Sequence, residues 1–218
     1  ADVVNFTVNN YGGNYPVPSG GTAYYVSPGG SDSNPGTSQS APWRTIGRVN
    51  NANLQPGDVV YFRSGGLCRE TLKPVGGQPG APIAFAAYGS GPHPVISGSD
   101  TIGGWNSYSG SIYYASAANP VYNVFVDGGP GWGLAHAGSA GSMSPGTWSW
   151  DSNGNRLYVW LPGGSYPGNH TIEAATRTSG VYVNAGDGSQ LACSQKSYII
   201  IYGLTIERTG GNGIYFHC

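Results

Sequence analysis

The amino-acid sequence predicts an all-β protein built as a parallel β-helix, and three observations lead there. Short β-branched and aromatic runs alternate with Gly, Pro, Asn and Ser, as in Tyr198-Ile199-Ile200-Ile201-Tyr202-Gly203-Leu204-Thr205-Ile206; such runs favour strands punctuated by turns. A strand, a glycine turn and a second strand fit within about twenty residues, the scale of one coil that must bury its inner face on its neighbours. Helical periodicity is nearly absent, and the best helix candidate is the short stretch Trp43 to Asn51.

In chain order, residues 1–22 form an N-terminal strand and a Gly/Pro linker. Val3 to Val8 has strand propensity, with Val4, Phe6 and Val8 on one face, before Gly12, Gly13, Pro16, Pro18, Gly20 and Gly21 break it up. This strand either caps the stack or adds to the sheet edge of another copy. Residues 23–104 supply the first coils: Ala23 to Pro28, Val59 to Arg63, Glu70 to Val75, Pro82 to Tyr88 and Pro94 to Gly98 read as strands. Residues 105–170 read as an inserted small antiparallel β subdomain. Its signature is Ser152-Asn153-Gly154-Asn155 between Thr147-Trp148-Ser149-Trp150-Asp151 and Arg156-Leu157-Tyr158-Val159-Trp160, because Asn-Gly between alternating strands is a strong hairpin signal. Asn123 to Gly128 is a further strand of that subdomain. Residues 171–218 continue the coils from His170-Thr171-Ile172-Glu173-Ala174 and end mid-stack. Gly180-Val181-Tyr182-Val183 recurs there in kind as Gly213-Ile214-Tyr215-Phe216.

Tyr25-Val26-Ser27-Pro28-Gly29-Gly30-Ser31-Asp32, Pro42-Trp43-Arg44-Thr45-Ile46 and Pro56-Gly57-Asp58-Val59-Val60-Tyr61-Phe62-Arg63 together resemble the opening of secreted right-handed parallel β-helix proteins of the pectate-lyase-like superfamily. Ala81-Pro82-Ile83, Pro94-Val95-Ile96-Ser97-Gly98, Gly203-Leu204-Thr205-Ile206 and Gly213-Ile214-Tyr215 continue the likeness, which spans about three quarters of the chain and speaks to fold. The insertion resembles that of the superfamily's hydrolase-like branch. The resemblance implies a right-handed helix and a carbohydrate-associated function. Calcium enters by superfamily analogy alone, since no Asp-x-Asp cluster is present.

Composition excludes several functions. Charged residues are 9% and the net charge is −1, so the basic footprint that nucleic acid requires is missing. No apolar run approaches the roughly 20 residues of a membrane-spanning helix. The first residue is Ala1, and Met143 is the single methionine, which fits a secreted, processed chain at the cell surface or outside it. The sequons Asn5-Phe6-Thr7 and Asn169-His170-Thr171 are compatible with that. The pairing of Cys68, Cys193 and Cys218 stays open, and no Cys-x-x-Cys suggests a metal.

Chemistry is thinly written. A hydrolase needs two carboxylates on one groove; Glu173 and Glu207, on strands expected in neighbouring coils, are the candidates, with the solvated ladder position as the plain alternative. Asp58 and Asp151 sit in turns and are expected to bond their own backbone. A lyase needs a base, and Lys73, Arg177, Lys196 and Arg208 are strand-associated. His93, His136, His170 and His217 are isolated in sequence, and Gly-x-Ser-x-Gly is missing. Trp132, Trp148 and Trp150 are candidates for stacking on sugar rings, against the alternative that they pack a small core.

Three functions follow. The first is part of a polysaccharide-degrading or -modifying protein, lyase or hydrolase, whose partner is a polysaccharide. The second is a structural or adhesive subunit that associates end to end with copies of itself, through Val4, Phe6 and Val8 at one end and Ile214 and Phe216 at the other. The third is a non-catalytic glycan-binding module.

Overall fold

The computed structural model describes residues 20–117, 120–129, 133–184 and 197–217. Val4, Phe6, Val8, Trp132, Lys196, Cys193 and Cys218 therefore lie outside the described residues. The described residues are nearly all β, with one five-residue α-helix, and their strands fall into five sheets of mixed sense. The described residues form two compact units: one lies within 98–178 and 208–211, the other within 20–97, 179–207 and 212–217. No described helix is long and apolar enough to cross a membrane.

The second unit begins with β1 (Ala23–Val26), α1 (Ile46–Asn50), β2 (Val59–Arg63), β3 (Leu67–Cys68), β4 (Ile83–Tyr88) and β5 (Val95–Ser97). Specific side chains hold the start of the helix. Thr45 caps it by accepting from the Arg48 N–H at 3.0 Å, and the Glu70 carboxylate accepts from the N–H groups of Ile46 and Gly47. These are the donors that a helix leaves unpaired at its first turn. Its Ile46 and Val49 are buried. The strand expected from Glu70 to Val75 does not form; within that run Leu72 alone makes a bridge, to Val181. Asp58 is buried and accepts from the N–H groups of Thr22 and Gln55, the turn role expected of it.

Within the other unit lie β6 (Ser99–Ile102), β7 (Asn106–Ser109), β8 (Ile112–Ser116), β9 (Asn123–Val126), β10 (Ala135–His136), β11 (Thr147–Asp151), β12 (Arg156–Trp160) and β13 (Ile172–Ala175). The Asn153-Gly154 hairpin forms as read: β11 and β12 pair antiparallel from Thr147↔Trp160 to Asp151↔Arg156, and Asp151 accepts from the Asn153 N–H within the loop. One sheet runs β10-β11-β12-β8-β7 and another β6-β13-β9. They share a core of Trp105, Ala115, Val124, Trp148, Leu157, Val159, Leu161, Ile172 and Ala174. Trp148 and Trp150 face that core, while Tyr158 and Trp160 belong to a smaller cluster with Ile112 and Met143. The strand expected to rejoin the parallel coils at His170 is β13, which is antiparallel to both β6 and β9. The alternation Ile172, Ala174 against Glu173 suits a strand flanked on both sides.

The chain then returns to the second unit with β14 (Ser179–Asn184), β15 (Ile199–Tyr202), β16 (Thr205–Glu207) and β17 (Asn212–His217). Here every ladder is parallel: β1-β2-β4-β15, β3-β5-β16 and β14-β17. Like residues lie over like. Tyr25 pairs with Tyr61 and their rings stack at 5.5 Å; Tyr182 pairs with Tyr215 and theirs stack at 5.3 Å. The recurrence in the sequence is this register, Val181↔Ile214, Tyr182↔Tyr215 and Val183↔Phe216. Val26, Val60, Phe62, Leu72, Ile83, Phe85, Ile96, Val181 and Val183 fill the core between these sheets. Cys68, also in this core, is a free thiol.

Candidate functional site

The antiparallel-rich unit carries a cavity of about 300 Å³ lined by Tyr122, Asn123, Leu134, His136, Trp148, Thr209 and Gly210. Strand pairing assembles it. Tyr122 precedes β9 and is held by its N–H to the Ala175 carbonyl. His136 on β10 is the register partner of Trp148 on β11, and their rings lie 4.6 Å apart. Leu134 donates to the Val124 carbonyl, and the close approach requires Gly133: at φ +74°, a Cβ there would sit on the Val124 oxygen. Gly210 is required for a similar reason. A Cβ on it would come within 2.4 Å of the Tyr122 Cβ and ring, so Gly210 is the bed on which Tyr122 lies. The Gly210 N–H donates to the Arg177 carbonyl, and Arg177 pairs with Asp100 at 2.9 Å.

An aromatic face beside an amide, an imidazole and a hydroxyl is the equipment for a sugar ring, whose C–H face meets a π face while its hydroxyls take hydrogen bonds. Tyr122 is 43% exposed, whereas Trp148 is 4%. The accessible ring is thus Tyr122. Trp148 shows an edge and otherwise packs the core, and Trp150 is packed against the same core. Tyr122 and His136 escape sequence reading because neither lies in a tryptophan-rich run or at metal-ligand spacing. Only the β9 and β10–β11 register brings them together.

The carboxylate candidates separate. Glu173 lies at the middle of β13, opposite Thr101 on β6 and Phe125 on β9. It is buried rather than solvated: Ser99 Oγ donates to its Oε1 at 3.3 Å, and Arg208 forms an ion pair with its Oε2. Arg208 also donates to the Gly128 carbonyl and lies over the Phe125 ring. Its backbone takes φ +53°, a left-handed conformation uncommon outside glycine. Glu207 is half-buried on β16 opposite Ser97, in a different sheet and a different unit from Glu173. Glu173 and Arg208, read separately as acid and base, are each other's partner. Both oxygens of Glu173 are engaged, and its side chain is 5% exposed. Among the described residues, no group of three His, Cys, Asp or Glu side chains is placed to hold a metal. Ile214 on β17 packs against the parallel-sheet core, while Phe216 is 60% exposed.

No family model matches the chain. Over 77 residues it is 42% identical to a lacto-N-biosidase of Bifidobacterium longum subsp. longum, a match that covers 33% of this chain and 5% of that protein. Among solved structures it is similar to a complex of XylC with xylose, with a TM-score of 0.65 and 17% identity over 83% of this chain and 34% of that one. It is also similar to a structure described as a glycoside hydrolase, with a TM-score of 0.53 and 12% identity over 85% of this chain and 51% of that one. The two structural likenesses are likenesses of fold. The chain spans a twentieth of the curated relative it matches and about a third of the XylC chain.

Proposed function

We propose that this chain is part of a secreted, carbohydrate-degrading protein, to which it contributes the coils of a right-handed parallel β-helix and an inserted antiparallel unit that holds a glycan. The observation that carries the reading is the 42% identity to a lacto-N-biosidase. The parallel ladders with tyrosine stacked on tyrosine support the β-helix, since a coil gains stability only from its neighbours. The cavity under Tyr122 supports the glycan. In this reading the sugar ring lies on Tyr122, and Asn123, His136 and Thr209 take its hydroxyls. Glu173 and Arg208 hold the unit together rather than act on the glycosidic bond.

Calorimetric titration with lacto-N-biose and with xylo-oligosaccharides tests this. The parent chain is expected to bind one of these families, and Tyr122→Ala to weaken that binding roughly tenfold or more, with its melting temperature unchanged. Stacking of an aromatic ring accounts for about 0.5–1.5 kcal/mol, and the lost contact area adds to it. Binding undiminished by Tyr122→Ala overturns the assignment.

A second reading, association of copies end to end, is favoured by Phe216. Among the described residues β17 pairs with β14 alone, and its Phe216 is exposed, a combination that invites strand addition. Light scattering is expected to show concentration-dependent assembly that Phe216→Asp abolishes. A chain that stays monomeric at high concentration removes this reading.

A further inference from the structure

From its geometry we propose that Ser165, His170 and Asp127 form a hydrolytic centre for a small acyl ester, a second activity distinct from the glycan cavity. Ser165 Oγ lies 2.9 Å from His170 Nε2, and His170 Nδ1 lies 2.7 Å from Asp127 Oδ2. The tautomer follows from the carboxylate. Asp127, when ionised, can only accept, so Nδ1 carries the hydrogen; in a neutral ring Nε2 is then the acceptor for the Ser165 hydroxyl. That is the order of donors and acceptors in which a serine is activated by a histidine that an acid orients.

The fold holds all three by separate means. Pairing of β9 with β13 at Val126↔Ile172 places Asp127 across from Thr171. There Asp127 adopts φ +52°, its N–H donates to the Thr171 carbonyl, and its Oδ1 accepts from the Thr171 N–H at 2.8 Å. Both carboxylate oxygens are thereby committed, one to the backbone and one to the imidazole. The hydrogen bond from His170, foremost, and that from Thr171 hold the Asp127 carboxyl below the usual carboxylate range. Two 3-10 turns, Pro162–Gly164 and Pro167–Asn169, bracket Ser165 and fold it back onto His170. Gly163 and Gly164 take φ of +75° and +73° in that bend. Ser165 is exposed and the His170 side chain is 28% exposed, so an ester can reach the hydroxyl.

The chemistry closes. Ser165 Oγ bonds to the acyl carbon as its proton passes to His170 Nε2. The tetrahedral adduct expels the alcohol, which takes that proton. Water then attacks the acyl-serine and gives a proton to Nε2, and the carboxylic acid leaves as Oγ recovers that proton. The oxyanion is assigned to the backbone N–H groups of Ser165 and Tyr166, next to the nucleophile in the chain. The site is exposed to solvent, and acetyl is the small acyl group chosen to test it. Only the identity of the alcohol half, a glycan hydroxyl, rests on the carbohydrate reading.

The test uses the whole 218-residue chain, p-nitrophenyl acetate and a fluorophosphonate probe. The expected result is saturable release of p-nitrophenol, loss of roughly a hundredfold or more on Ser165→Ala or Asp127→Asn, and a covalent adduct mapped by mass spectrometry to Ser165. Ser165 is an exposed loop residue, so its replacement leaves the fold intact, which circular dichroism verifies. A Ser165→Ala chain that hydrolyses the ester at the parent rate overturns the proposal. So does a parent chain that neither turns over the ester nor takes the label at Ser165. Glycan binding is measured separately, so either result leaves the Tyr122 reading standing or falling by itself.

Discussion

Replacing Arg208 with methionine probes the buried ion pair. The variant keeps most of the side chain's volume over Phe125 but leaves Glu173, whose side chain is 5% exposed, without its cation. Removing one member of a buried pair costs about 3–5 kcal/mol, because the remaining charge is desolvated and uncompensated. For a chain of this size, about 2–4 °C of melting temperature is lost per kcal/mol, so the expected fall is roughly 6–20 °C. Urea unfolding followed by tryptophan fluorescence suits the question, since Trp105 and Trp148 sit in the core of that unit. Two controls sharpen it. The double variant Arg208→Met with Glu173→Met buries no charge and is expected to recover all but about 1 kcal/mol, the donor of Ser99 having lost its acceptor. The single variant's deficit is expected to shrink as the pH falls, since a proton relieves a stranded carboxylate. A single variant within about 1 kcal/mol of the parent, or a double variant no better than the single, refutes the reasoning.

Three further predictions concern other parts of the chain. Gly210→Ala drives a methyl into Tyr122 and is expected to reduce glycan affinity as much as Tyr122→Ala does; unchanged calorimetric affinity contradicts the bed assigned to Gly210. Thr45→Ala removes the α1 cap and is expected to cost about 1 kcal/mol in urea unfolding, while Thr45→Ser costs less. Burial first, and the Glu70 charge second, push the Cys68 thiol up to about 12 from an ordinary 9.0. The folded chain therefore holds a proton that the unfolded chain releases, so this contribution is fully present below pH 9 and is lost as pH rises from about 9 to 12. Cys68→Ser is expected to flatten that alkaline limb, and a thiol reagent to modify Cys68 only as fast as the chain opens.

The strands most legible in the sequence are those set by local signals. The polar loop from Ser152 to Asn155 and the alternation of Trp148 and Trp150 mark β11 and β12 within ten or so residues, although the left-handed residue is Asn155 rather than Asn153 or Gly154. The recurrence at Val181 and Ile214 announced an in-register pair because parallel ladders stack like on like. What stayed hidden depends on residues far apart in the chain. Glu173 reads as a candidate acid or a solvated rung until Arg208 arrives from beyond β16. His170 reads as isolated because its acid, Asp127, lies 43 residues away and is brought in by the β9–β13 register. Trp148 reads as a sugar platform on residue type alone; the core that claims it comes from two sheets. Tyr122 carries no local mark, and Gly210, against which it packs, folds in from a distant segment.

The most direct test of the carbohydrate assignment is a crystal structure of the chain soaked with the oligosaccharide it binds best. A sugar ring is expected to lie flat on Tyr122, with hydroxyls within hydrogen-bond reach of Asn123, His136 and Thr209. A sugar bound elsewhere on the chain, with this cavity empty at saturating concentration, contradicts it.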